Sequence, residues 1–138
     1  MGYLAGAAPD PVPSIEDAVF WDHCARHDLR CQKCTGCGTL RFPPAPACHR
    51  CAAMTATWEK LPERAELFSF TIVHHPASEA FAKSVPYNIA IVAFPEAGGI
   101  RMVSNVVDAD ELRIGMPLTL VWETAGNGQP LPRFSAAV

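Results

Sequence analysis

The sequence predicts a mainly β protein: a short leading helix, a cysteine-rich ribbon, and a small antiparallel barrel of about five strands. Three observations carry this. Two C-x-x-C pairs stand close together, Cys34/Cys37 and Cys48/Cys51. After Trp58 the apolar residues alternate or run in short blocks bounded by glycine. The chain has 13 prolines and few long periodic runs, which argues against a helical bundle. Its 138 residues allow one domain, or two very small modules sharing a core. At 49% hydrophobic and 18% charged residues, a packed core is expected and global disorder is excluded. A formal charge of -3 argues against a strongly basic nucleic-acid binder.

Residues 1–13 are rich in Gly, Ala and Pro and read as a flexible tail. The helical element is expected within 14–30. Ser14 can cap free N–H groups, and Glu16 and Asp17 suit a positive helix N-terminus. Ile15, Val19, Phe20, Ala25 and Leu29 recur at helical spacing, predicting a helix over about 15–28. Phe20 and Trp21 are expected to pack on something apolar. Being adjacent, they cannot both hide on one narrow face, so they are also candidates for a partner interface.

Met1–Pro13 has no basic stretch and no apolar run suited to a signal peptide. Ile89–Phe94, the longest uniform apolar run, is far too short to span a membrane. The chain therefore reads as cytoplasmic, with no membrane partner. Thiols stay reduced there, which points the cysteines to metal rather than to disulfides.

The ribbon is expected over 31–58. Ten residues separate the two C-x-x-C pairs. Cys34, Cys37, Cys48 and Cys51 can supply the four thiolates that tetrahedral Zn²⁺ prefers. Gly38 suits the tight turn after the first pair, whereas Ala52 stands at the matching place in the second. Such a site has no open position for water, so it is structural. Cys31 also makes C-x-x-C-x-x-C with Cys34 and Cys37, which leaves another ligand set open. Cys24 is a further spare. As the bland alternative, both spares are small buried hydrophobes.

The barrel is expected over 59–138. Phe68, Phe70 and Ile72 alternate with Ser69 and Thr71 as in a half-buried strand. Tyr87–Phe94 reads as a strand buried on both faces, and Ile100–Val107 and Leu118–Trp122 as two more. Gly98-Gly99 marks a turn, Gly115-Met116-Pro117 marks a tight lead-in, and a short helix is expected near Ala77–Lys83.

These stretches together resemble a known family. They are Phe20-Trp21, the ribbon CQKCTGCGTLRFPPAPACHRC, then FSFTIVHHP, VPYNIAIVAF, RMVSNVV, RIGMPLTLVWE and LPRF. Their order and spacing are similar to those of the zinc-ribbon plus OB-fold family of acyl-CoA-associated proteins, a domain-of-unknown-function family. The match covers roughly residues 15–135. The resemblance implies a rubredoxin-like zinc ribbon and a five-stranded OB-fold barrel. It also implies an accessory role beside a thiolase-like enzyme that forms or cleaves C–C bonds, including retro-aldol cleavage. The small chain would help form the CoA-ester path. Three positions depart from the family. Ala65 stands where glycine is frequent, His75 where arginine is common, and Cys31 where leucine is usual. The last favours Cys34, Cys37, Cys48 and Cys51 as the metal set.

An acyl-CoA ester needs positive charge for its phosphates and apolar surface for its pantetheine arm. Lys33, Arg41, Phe42 and Arg50 on the ribbon are candidates, with His74, His75 and Tyr87 on the barrel; Arg101 and Arg133 are further cations. Taken singly, each cation is better explained as an ordinary solubilising charge. No Gly-rich phosphate loop exists. Neighbouring His74 and His75 point to opposite faces of a strand and form no dyad unless it ends there, as Pro76 suggests. No catalytic residues are therefore assigned. Two alternatives compete: a single-stranded nucleic-acid binder built on ribbon and OB fold, and a free-standing acyl-CoA enzyme using His74 or His75.

Overall fold

The computed structural model describes residues 3, 4 and 8–136. One helix, α1 (Ala18–Ala25), leads into eight strands. They are β1 (Arg30–Cys34), β2 (Leu40–Arg41), β3 (Ala56–Lys60), β4 (Arg64–Val73), β5 (Tyr87–Phe94), β6 (Ile100–Ser104), β7 (Pro117–Thr124) and β8 (Pro130–Ala136). The ribbon sheet has the order β2-β1-β3 and the barrel sheet β6-β5-β4-β7-β8, with every pairing antiparallel.

The helix is shorter than its spacing suggests. Asp17 does not cap forward. Its carboxylate reaches back and accepts from the Ser14 N–H at 2.5 Å, so residues 15–17 form a turn and the helix proper begins at Ala18. An eight-residue helix is marginal alone and depends on tertiary packing. Its end is a Schellman arrangement. The N–H of His27 donates to Cys24 O and that of Asp28 to His23 O, with His27 in the left-handed region at φ 55°. The His27 ring stacks on Trp122 of β7, centroids 5.0 Å apart and planes at 10°. Helix and barrel are thereby tied.

Phe20 and Cys24 of α1, Leu29 and Cys31 of the ribbon, and Leu67, Val92, Phe94, Leu118 and Phe134 of the barrel are buried in one continuous core. Ribbon and barrel are therefore not beads on a linker. Chain passes between them through Leu61, whose N–H donates to Leu29 O.

The barrel sheet curls until its edges meet. Val106 bridges Phe134 in parallel, the Val107 N–H donates to Phe134 O, and Ser104 Oγ donates to Pro132 O. Buried Asn88 reinforces the seam, giving its Nδ2–H to Val106 O and accepting from the Val106 N–H. On the other side β4 pairs with β7 only over Arg64–Glu66, so the barrel is half open there.

Four expectations change. The apolar alternation through Phe68 is broken by a β-bulge: Leu67 faces Val92, Ser69 faces Ile91, and Phe68 is the extra residue. Phe68 is left exposed, whereas Phe70 packs on the core. β8, which carries Pro130 and Pro132, was not placed by periodicity. Proline is tolerated because β8 lies at the sheet edge. The helix expected near Ala77–Lys83 is only a 3-10 turn, Glu79–Phe81. Within the expected loose tail, Tyr3 Oη accepts from the Asn88 N–H and side chain, and Asp10 accepts from the Asn127 N–H. Residues 1, 2 and 5–7 of that tail lie outside the described residues.

Candidate metal centre and the groove beside it

Two knuckles of the same shape bring the four cysteines together. In the first, the Cys34 N–H donates to Thr39 O and the Gly38 N–H to Cys34 O; in the second, the Cys48 N–H donates to Ala53 O and the Ala52 N–H to Cys48 O. Each turn also aims an N–H at its first sulfur, Gly36 to Cys34 Sγ at 3.3 Å and Arg50 to Cys48 Sγ at 3.4 Å. Gly38 has φ 76°, and Ala52 adopts φ 65° without being glycine. The second turn therefore holds an L-residue in the left-handed region that glycine occupies in the first.

The four sulfurs lie within 4.8 Å of one another, with Cys34 to Cys51 at 3.5 Å and Cys37 to Cys48 at 3.7 Å. A Zn–S bond of about 2.3 Å gives tetrahedral sulfur separations of about 3.8 Å, so the set fits Zn²⁺. Its electrostatics agree. N–H groups, that of Cys37 first, draw the Cys34 thiol down, and the Thr39 hydroxyl draws Cys37 down to about 6. The Ala53 N–H favours a thiolate at Cys51, yet the neighbouring sulfurs, Cys34 first, push it up to about 11. Four sulfurs this close cannot all carry charge unless a cation shares them. Cys24 and Cys31 are not members. Both are fully buried in the core, and burial pushes their thiols up to about 12 and about 11.

Beside the metal centre a groove of 660 Å³ runs between the proline loop after β2 and the turn before β6. Arg41, Phe42, Arg50, Gly98, Gly99 and Arg101 are among its walls. Arg41 is 5% exposed. Its Nε donates to Gln32 Oε1 at 2.7 Å and its Nη2 to Ala45 O at 3.0 Å, while Nη1 is buried with no partner. Arg101 stands 3.8 Å from the centroid of the Phe68 ring.

A second cavity, of 610 Å³, opens at the barrel mouth, and Tyr3, Phe70, Ile72, Tyr87, Asp110, Glu111 and Leu112 are among its lining residues.

The ribbon, residues 21–54, matches the family model described as the ChsH2 rubredoxin-like zinc ribbon domain. Residues 58–123 match the one described as the ChsH2 C-terminal OB-fold domain. A DUF35 domain-containing scaffold protein of Methanocaldococcus jannaschii is 33% identical over 106 residues, covering 74% of this chain and 73% of that protein. The chain belongs to the DUF35 family. A probable enoyl-CoA hydratase alpha subunit of Thermomonospora curvata is 36% identical over 132 residues, covering 93% of this chain but only 40% of that protein. Among solved structures, a chain of an assembly titled Ltp2-ChsH2(DUF35) aldolase superposes with a TM-score of 0.82 at 33% identity, covering 94% of this chain and 100% of that one.

In this DUF35 protein the candidate residues fall into separate places. Arg41, Phe42, Arg50 and Arg101 come together in the groove. Lys33 lies apart, paired with Glu59 across β1 and β3 at 3.3 Å. Tyr87 lines the barrel-mouth cavity, 6.0 Å from the Phe81 ring, while His74 and His75 lie exposed beyond the end of β4. Arg133 reaches toward Glu123, 3.9 Å away, in a different cavity. Phe20 needs correcting as an interface candidate. It is 4% exposed and packs on Phe42 and Trp21, so its ring belongs to this chain's own core. Trp21 keeps part of its surface. Gly98-Gly99 reads only as a turn in the sequence yet walls the groove, and the seam asparagines Asn88 and Asn105 carry no local signal.

Proposed function

We propose that this chain is a non-catalytic accessory subunit of an acyl-CoA-processing complex. Its partner is a thiolase-like enzyme that forms or cleaves a C–C bond, retro-aldol cleavage included, and the chain helps form the CoA-ester path. The observation that carries this is the superposition on the whole DUF35 chain of the Ltp2-ChsH2(DUF35) aldolase. The hydratase alpha subunit of Thermomonospora curvata places a similar segment in a CoA-related protein as well. The cysteine geometry supports a structural role for the metal: four sulfurs within 4.8 Å of one another can supply all four ligands of Zn²⁺, which would leave no position for water or substrate.

Zinc fixes the ribbon, because so short a loop cannot be held by burial alone. Ribbon and helix present Trp21 and the groove to the partner, and the barrel mouth with Tyr87 borders the acyl path. The reading places the chain in the reducing cytoplasm, where thiolates remain available to zinc. No described helix is long and apolar enough to cross a membrane. Nucleic acid is not a partner in this reading, and a flat titration with a labelled oligonucleotide is expected.

Pull-down from the native host with mass spectrometry tests the proposal, followed by a CoA-ester assay of the isolated chain and of the complex. A thiolase-like subunit should co-purify, with turnover only in the complex. A chain that stays alone beside a co-expressed thiolase-like neighbour, or turnover by the isolated chain abolished in His74→Ala or His75→Ala, would overturn it.

A further inference from the structure

The groove between ribbon and barrel carries a chemistry that neither the zinc centre nor the fold requires. In a chain of formal charge -3, three arginines converge on it, and none of the residues lining it is acidic. Nearby Glu96 opens instead onto a different cleft, with Arg64.

Arg41 is the informative member. It is almost fully buried, and no carboxylate among the described residues pairs with it. A buried guanidinium without a counter-ion is costly, and a buried donor left unpaired costs more again. Yet the side chain is firmly held. Gln32 Oε1 accepts from both Arg41 Nε and the Ala45 N–H, which locks the head group against the proline loop while Nη1 stays unpartnered. Nη1 is itself closed off from solvent, so what Arg41 brings to the groove it lines is a fixed positive charge with no carboxylate beside it, which suits an anion arriving from outside.

Around it the walls are arranged for such a guest. Arg50 and Arg101 are exposed, the latter with its guanidinium resting on the Phe68 ring, and both line the groove. Phe42 and Pro44 supply an apolar wall. At Gly98 and Gly99 an added Cβ would meet nothing within 4 Å, so that side of the groove is bare backbone with open space before it. A volume of 660 Å³ suits a small molecule rather than a lone ion.

We infer that this groove is a phosphoryl-anion site, with Arg41 as its fixed buried charge and the exposed Arg50 and Arg101 as its donors. It takes a phosphate monoester or diphosphate attached to a flat or apolar body. The inference deepens the acyl-CoA reading, and rests on it for the source of the phosphate, which is the nucleotide end of the CoA ester.

The test uses the full zinc-loaded chain, titrated with adenosine 3′,5′-bisphosphate, with inorganic pyrophosphate and with adenosine, read by calorimetry and by amide chemical shifts. The bisphosphate should bind, shift the amides of residues 40–45 and 98–101, and weaken as salt rises. Adenosine should not bind. Arg50→Glu and Arg101→Glu, both at exposed positions, should each weaken binding at least about tenfold by reversing a charge beside the phosphate. Arg41→Gln removes the fixed charge and should also weaken binding, with zinc content and melting temperature measured alongside to confirm folding. Pyrophosphate binding as tightly as the bisphosphate would support a site for phosphoryl groups of any source; binding of the bisphosphate alone would support the nucleotide end. No binding of either, equal binding of adenosine, or undiminished binding by the two glutamate variants would overturn the inference. Such a failure leaves co-purification with a thiolase-like subunit unaffected, so the two readings fail separately.

Discussion

The Cys34 sulfur lies 3.5 Å from that of Cys51, although 17 positions of chain separate them. Burial does not impose this closeness, because Cys51 and Cys37 are exposed. The two knuckles impose it, and a shared Zn²⁺ relieves it. Wild-type protein, Cys24→Ala and Cys31→Ala should each carry about one zinc per chain, whereas Cys34→Ser and Cys48→Ser should lose most of it. Metal analysis of purified variants checks this, and zinc loss from Cys31→Ala would mean that the ligand set is misassigned.

Ala52 holds φ 65° where its counterpart Gly38 holds φ 76°. An L-residue in the left-handed region costs about 1 kcal/mol relative to glycine. Ala52→Gly should therefore stabilise the zinc-loaded chain by about that amount in urea unfolding. An unchanged or lowered midpoint would show that the turn is not strained.

His27 shares that backbone region, but its ring lies on Trp122. Trp122→Ala should loosen α1 from the barrel and cost about 2–3 kcal/mol, below the range for truncating a fully buried aromatic because Trp122 is half-buried. His27→Gly relaxes the backbone while losing the stack, so its effect should be much smaller. Hydrogen exchange at residues 18–27 separates the two, since only the tryptophan variant should lose protection across the whole helix.

The Cys24 and Cys31 thiols are pushed up to about 12 and about 11, first by burial. A raised folded value means that the native state holds its proton longer than the unfolded chain does. The stability this contributes is full below the ordinary thiol value of 9.0 and is lost as pH rises through about 11 and 12. Two results are expected. Native protein should leave both thiols unalkylated at pH 8, and Cys24→Ala should soften the fall in stability above pH 9. Rapid alkylation of either thiol in folded protein would contradict their burial.

Much of the fold was legible because its signals are local. The C-x-x-C spacing, the uniform apolar run Tyr87–Phe94 and the glycine corners each act within a few residues. Signals that depend on distant partners were not legible. The bulge at Phe68 leaves no mark in an alternating pattern, because one inserted residue only shows when β5 is laid beside it. β8 hides behind Pro130 and Pro132, which are acceptable only at a sheet edge. Arg41 read as one more surface cation, and its burial depends on Gln32, nine positions away on a paired strand. The candidate cations were thus visible one by one, but their convergence on a single groove was not.

Zinc should matter to assembly before it matters to the barrel. The ribbon shares the core through Leu29 and Cys31, yet the barrel seam at Asn88, Val106 and Phe134 is independent of the metal. Chelation should weaken partner affinity at concentrations that leave the barrel's thermal transition in place. Normal assembly of Cys34→Ser and Cys48→Ser variants would show that the metal has no part in docking.

The most direct measurement is acyl-CoA turnover by the co-purified thiolase-like subunit with and without this chain, alongside the chain alone. The account predicts that the isolated chain is inactive and that adding it, zinc-loaded, restores or raises turnover by the partner. Turnover by the isolated chain, or a partner whose rate is indifferent to its presence, would contradict an accessory role.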